Sequence, residues 1–283
     1  MWKIFKKNKN DTESELQNLI GEYELPSFSA AVMKVLTVLR DPDFSMTEVA
    51  EHLEGDPGLH VRVLKTVNSA AFGLSKRVGN LHHAVTLLGR SRLETIVLSQ
   101  AVNSILPFVE MPFFNMTQFW LTAARRASIA RAIAHHLHPA TQIEAFTAGL
   151  LQDMALPILV STRPEEYKVI LERWNSNIES SLTAIERETL GYDHSKVGAL
   201  LAEKWGLPKY LITAISCKHT KDRDVKVEPA IELVSRIRWD DEERATEALA
   251  KSCVEEYGMD KEMVLEMADR AFEDAEELSK MLR

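Results

Sequence analysis

Helix starts and stops punctuate this chain from end to end, and no segment shows the sustained alternation of a half-buried strand. Ser45-Met46-Thr47-Glu48 has the form of a capping box, whose serine oxygen accepts from a backbone N–H three residues on. Asp56-Pro57 gives an N-cap followed by proline at the first helical position, opening a helix through Val61, Leu64 and Val67. Asn80 can cap a helix through Val85 and Leu88 that Gly89 ends, and Ser91 with Glu94 opens another to about Leu106. After Leu25-Pro26, apolar residues at 28, 32, 35, 36 and 39 make one amphipathic face, which Asp41-Pro42 stops. Asn68 to Gly73 reads as a turn. The fold class is therefore all-α.

Two prolines, Pro107 and Pro112, bracket a short apolar connection, and the main boundary is placed there. A long helix follows from about Thr117 to Leu137. Its alanines at 123, 124, 127, 130, 132 and 134 allow close helix approach, so it should be central and buried. Pro139 ends it. The next helix runs from Phe146 to Leu156, with Phe146, Leu150, Leu151 and Met154 facing a core. Further helices follow Thr162-Arg163-Pro164, end near Leu190-Gly191, run from His194 to Trp205 behind an Asp193 cap, and open at Pro208 towards His219. In the last sixty residues, Met263, Met267, Phe272, Ala275, Leu278 and Leu282 trace one apolar stripe, read as core filling. The expected organisation is a basic N-terminal tail (1–20), an N-terminal helical bundle (21–110), a helical lobe (111–220) and acidic C-terminal helices (221–283).

Hydrophobic residues make up 45% of 283, enough for a sizeable core. Two cysteines, Cys217 and Cys253, stand far apart with no CxxC, which fits a reducing cytoplasm, and neither has a His and Asp arrangement typical of a nucleophile. No membrane span or signal peptide is expected. From residue 221 onward 11 Lys+Arg face 19 Asp+Glu, a balance of −8 that equals the charge of the whole chain. The acidity thus sits at the C-terminus, and a neutral-to-acidic chain has little attraction for nucleic acid. Val85 to Val97 resembles a helix-turn-helix, with Arg90 and Arg92 at the turn. Its second helix soon becomes apolar at Ile96, Val97, Leu98, Ala101 and Val102, where a recognition helix needs a polar face.

Several stretches together carry a resemblance to a known family. They are Leu25-Pro-Ser, Asp41-Pro-Asp-Phe-Ser, Asp56-Pro-Gly-Leu, Val67-Asn-Ser-Ala-Ala-Phe-Gly and Ala84-Val-Thr-Leu-Leu-Gly, then Phe119-Trp120, Gly149-Leu-Leu-Gln-Asp, Asp193-His194, Val197-Gly-Ala-Leu-Leu and Trp205-Gly-Leu-Pro. Over about residues 20–220 the chain resembles the HDOD domain, an output domain of bacterial signalling related to the HD phosphohydrolases. The resemblance implies an all-helical N-terminal bundle packed on a degenerate HD-like lobe, to which the C-terminal helices are extra.

The resemblance also implies where metal ligands would stand. An HD phosphohydrolase uses metal to polarise a phosphoryl oxygen and activate water, which needs several convergent His and Asp side chains. The first His position matches Thr122, the His-Asp pair matches Gln152-Asp153, and the late Asp position is nearest Ser235. A hydroxyl and an amide are poor ligands for a transition metal. Asp153, His194 and His219 survive as vestigial candidates, since one carboxylate and two imidazoles can hold zinc or iron. The plainer reading of each is a buried carboxylate, a capping or interhelix hydrogen bond, and a structural or exposed histidine. His135, His136 and His138 suit a helix C-terminus, and His82-His83 a helix start. There is no Gly-rich phosphate loop.

No catalytic residue, bound metal or cofactor is expected. The chain is read as a non-catalytic cytoplasmic signal-transduction module that acts on a regulatory partner protein. A residual metal-dependent phosphohydrolase, or a module that holds a small nucleotide without turnover, are the alternatives.

Overall fold

The computed structural model describes residues 9–21, 23, 27–41, 43, 45–68, 77–217 and 227–282. The first helices are Lys9–Ile20 (α1), Ala30–Arg40 (α2), Met46–Glu54 (α3), Pro57–Val67 (α4) and Leu81–Ile105 (α5). A two-residue antiparallel hairpin follows, Glu110–Met111 (β1) with Phe114–Asn115 (β2), in which Glu110 pairs with Asn115. Then come Met116–Leu137 (α6), Gln142–Leu151 (α7), Ala155–Thr162 (α8), Pro164–Ser176 (α9), Leu182–Leu190 (α10), His194–Lys204 (α11) and Lys209–Cys217 (α12). Pro229–Arg236 (α13), Glu242–Tyr257 (α14) and Lys261–Met281 (α15) complete the described chain. The architecture is all-α, and the hairpin is its one sheet among the described residues.

The punctuation acts as its chemistry demands. Ser29, Ser45 and Asp56 cap α2, α3 and α4 by accepting from Val32, Glu48 and Leu59 N–H. Asn80 Oδ1 accepts from His83 N–H at 2.8 Å. Gly89, at φ 67°, breaks α5 into two arms. Beyond that break Leu93, Ile96, Val97, Leu98, Ala101 and Val102 are all buried, so the second arm of the helix-turn-helix look-alike is a core helix. Val61, in contrast, is 51% exposed; α4 packs inward through Leu59, Val63 and Val67. The expected turn at Asn68–Gly73 falls mostly outside the described residues. Asn68 itself grips Val78 twice, Oδ1 accepting from its N–H at 2.7 Å and Nδ2 donating to its carbonyl at 2.9 Å.

Backbone clustering gathers the chain into two compact units built from separated stretches. One holds residues 1–27, 106–116 and 152–220, and the other 28–105, 117–151 and 221–283. The sequence reading drew its divisions at 20, 110 and 220, as contiguous segments. In the second unit α6 is central, with five of its six noted alanines buried and Ala132 half-buried. A Cβ on Gly149 of α7 would come within 2.9 Å of Arg126 O and 3.0 Å of Ala127, so glycine permits this close helix crossing. The C-terminal helices are pinned to α6 by two arginines, Arg125 buried and Arg131 half-buried. Arg125 donates to Trp239 O at 2.9 Å and to the Glu242 carboxylate, and lies 5.3 Å from the Phe272 ring centroid. Arg131 bonds Asp274 at 2.9 Å. The expected stripe on α15 is buried at Phe272, Ala275, Leu278 and Leu282, while Met263 and Met267 are half-buried.

Two expectations need correcting. The helix expected from Phe146 to Leu156 is two helices, with Gln152, Asp153 and Met154 in a turn between them. Pro157 explains the break. It has no N–H to give the carbonyl four residues back, which is that of Asp153, and its ring crowds that position. Asp153 O instead accepts from Leu156 N at 2.9 Å. The stretch Pro139–Thr162 is also long and apolar enough to cross a bilayer by length and composition, contrary to the reading that none is. Most of it is buried within the protein, as expected of core helices rather than a lipid-facing span.

Candidate functional site

The site is built on two helix junctions in the first unit. The Gln152–Met154 turn supplies Asp153, and the first position of α11 supplies His194. Asp193 caps α11 by accepting from Lys196 N–H at 2.9 Å and takes Arg187 Nε at 2.5 Å on its other oxygen. Burial pushes the Asp193 carboxyl up, but the Lys196 N–H, His194 and Arg187 outweigh it and hold the group below its ordinary value. This cap fixes where α11 begins and so where its first side chain projects.

His194 is 3% exposed and lies between two carboxylates. Its Nε2 is 3.3 Å from Asp153 Oδ1, and its Nδ1 is 2.6 Å from Glu186 Oε2. Glu186, fully buried on α10, also accepts the His194 backbone N–H at 3.1 Å and the Tyr167 hydroxyl at 2.7 Å. Three donors thus satisfy one buried carboxylate, as a charge removed from water requires. Burial, then the Glu186 carboxylate beside it, pushes the Tyr167 hydroxyl well above its ordinary range. Tyr167, Glu186 and His194 form one hydrogen-bonded line, and Asp153 Oδ1 lies 3.3 Å beyond it from His194 Nε2.

Of the residues matched to the ligand pattern, Asp153 and His194 are brought together. Gln152, 1% exposed, sits beside Asp153 in the turn. Thr122 is half-buried on α6 and Ser235 buried on α13, both in the second unit. Ser235 Oγ donates to Glu232 O at 2.9 Å. His219 lies outside the described residues. His138, at the end of α6, is exposed and 3.8 Å from Glu228.

Sequence reasoning missed Glu186 and Tyr167. The signal was present in α10, where Thr183 and Glu186 share one helical face, so a carboxylate fell on the buried side. Tyr167, Ile170 and Leu171 likewise form the buried face of α9.

The donor set was tested against a transition metal. A carboxylate on Nδ1 is the orientation a metal-binding imidazole uses, so Glu186 suits that role towards His194. Asp153 and His194 make two ligands, and zinc sites take at least three from protein. The remaining matched positions offer an amide and two hydroxyls. Among the described residues no three His, Cys, Asp or Glu side chains converge as a ligand group. The described residues, among which His219 is not found, do not fit the HD metal centre.

A family model for the HDOD domain matches residues 25–221. The chain belongs to the HDOD domain family. A crystal structure from Shewanella amazonensis SB2B, named "Putative phosphohydrolase", is similar at 27% identity and a TM-score of 0.76, covering 95% of this chain and 98% of that one. An HDOD domain protein of unknown function from Geobacter sulfurreducens shares the fold at 21% identity and a TM-score of 0.72, covering 96% and 99% of the two chains. An uncharacterized protein of Treponema pallidum (strain Nichols) is 24% identical over 199 residues, 69% of this chain. The matched stretch spans 38% of that relative's length. These HDOD residues hold both site junctions, whereas α1 and the helices from α13 onward lie outside the match.

Proposed function

We propose that this HDOD protein is a non-catalytic signal-transduction module of the cytoplasm that acts by binding a regulatory partner protein. The observation that carries this reading is the enclosure of His194 between Asp153 and Glu186. The surviving polar residues hold each other and join two helix junctions, while the other matched ligand positions carry Gln152, Thr122 and Ser235. The scaffold is kept and the donors for metal-activated water are replaced. Purification without added metal, followed by elemental analysis, tests this. Iron, zinc and manganese should be far below one ion per chain, and phosphodiester hydrolysis no higher than in Asp153→Ala. Stoichiometric metal that vanishes in Asp153→Ala would overturn the reading.

A residual phosphohydrolase acting on a nucleotide or phosphoester is the rival, favoured by Glu186 on His194 Nδ1 and by the name of the Shewanella relative. A nucleotide held without turnover is separable from both. It would raise the melting temperature, because a ligand that binds only the folded state stabilises it.

A further inference from the structure

Helix α1 precedes the matched family residues and docks on α11 within the first unit. Its buried side chains, Thr12, Leu16 and Ile20, recur every four residues and form one stripe. Glu13 and Glu15 fall on opposite sides of that stripe. Glu13 meets Lys204 Nζ at 2.7 Å, and Glu15 meets Lys196 Nζ at 3.0 Å. At the C-terminal end Leu19 O accepts from the Tyr192 hydroxyl at 2.6 Å and from Arg163 at 3.2 Å. These two donors satisfy a carbonyl in the last turn, where helical partners run out.

The attachment is slight for what it orders. A helix of twelve residues is marginal without tertiary contacts. Two large aliphatic side chains, Thr12, the two bonds to Leu19 O and solvent-accessible lysine–glutamate pairs hold it, and such pairs are weakened by salt. Segments held this way open at far lower free energy than the core. The receiving face is chemically defined. It has two lysines eight residues apart on α11, so about 80° apart around its axis and flanking the docked stripe, plus a guanidinium and a phenol that donate to a helix-terminal carbonyl.

We propose that α1 is a displaceable strap occupying a helix-binding face on α11, and that an acidic amphipathic helix of a partner protein takes its place. The incoming helix carries aliphatic residues at four-residue spacing, flanked by carboxylates. This rests on the partner-binding reading above and gives that partner a chemistry.

The test uses the full chain with a labelled peptide of residues 9–21 as probe. Leu16→Asp combined with Glu13→Lys opens the strap, and should raise peptide affinity about tenfold or more over wild type in fluorescence anisotropy. Adding Lys196→Glu and Lys204→Glu should remove that gain. A folded, opened variant that does not bind the peptide overturns the proposal, as does one that dimerises, since a second copy would then be the occupant. If the opened variant fails to fold, amide exchange of the wild type decides. Exchange in α1 about tenfold or more faster than in α11 supports the strap, and equal rates overturn it. Failure here leaves the metal result untouched, so the two readings fall separately.

Discussion

Both units bury titratable groups, but they do so in opposite ways. In the first unit His194 and Glu186 are shut away together, each the other's main partner, with Tyr167 and Asp153 closing the ends. In the second, Arg125 is 6% exposed yet reaches outward. Its charge is answered by Glu242, whose side chain is 53% exposed, and by the Trp239 carbonyl. The enclosed line depends most on Glu186, because losing that acceptor strands buried donors in a medium that solvates them poorly. The outward arginine has water as a partial substitute. An enclosed polar line is thus a structural commitment, whereas Arg125 is a fastening for the C-terminal helices.

Four variants sharpen or break that contrast. Glu186→Ala should be the most damaging, costing about 3–5 kcal/mol in denaturant unfolding, because it leaves the His194 ring, its N–H and the Tyr167 hydroxyl without their acceptor. A loss below about 1 kcal/mol would mean that water enters and the line is not enclosed. Arg125→Met should cost less, about 1.5–3 kcal/mol, for a charge-assisted bond and its stacking on Phe272. Its effect should concentrate in faster amide exchange of α14 and α15, and uniform acceleration would contradict the fastening role.

Tyr167→Phe keeps the ring packing and removes one donor to Glu186, so about 1 kcal/mol is expected, again by denaturant unfolding. The smallest effect is conditional on pH. Asp193 is held below the ordinary carboxylate value of about 4, so its contribution is full above that value. It is lost as pH falls through the lowered folded-state value. Asp193→Asn should therefore lower stability at neutral pH and flatten the acid limb of a stability–pH curve. An unchanged limb would remove Asp193 from the electrostatic account.

Much of this was legible before any coordinates, and the reasons are local. Ser45, Asp56, Asn80 and Asp193 announce helix starts because each needs only its own side chain and an N–H three residues away. Glycines 89, 191, 206 and 258 all take positive φ, where other residues are strained. The pairing of Asp153 with His194 was not legible, since their contact spans forty residues and the turn that aims Asp153 was read as helix. Pro157 was the missed cue. Glu186 was passed over because a lone glutamate in a polar helix draws no notice until its face is counted. The grip of Arg125 on Trp239 spans more than a hundred residues, beyond what spacing can encode.

The proline at 157 has a consequence for anyone who would build a metal centre at this turn. A histidine placed at 152 would hang its imidazole on a three-residue bend whose direction is set by a ring five positions downstream, not by helical pitch. Replacing that ring with alanine would let the Asp153 carbonyl take the usual amide donor and would swing the acid away from its aromatic base. Ligand chemistry and backbone course are thus coupled here, and introducing the first requires leaving the second alone.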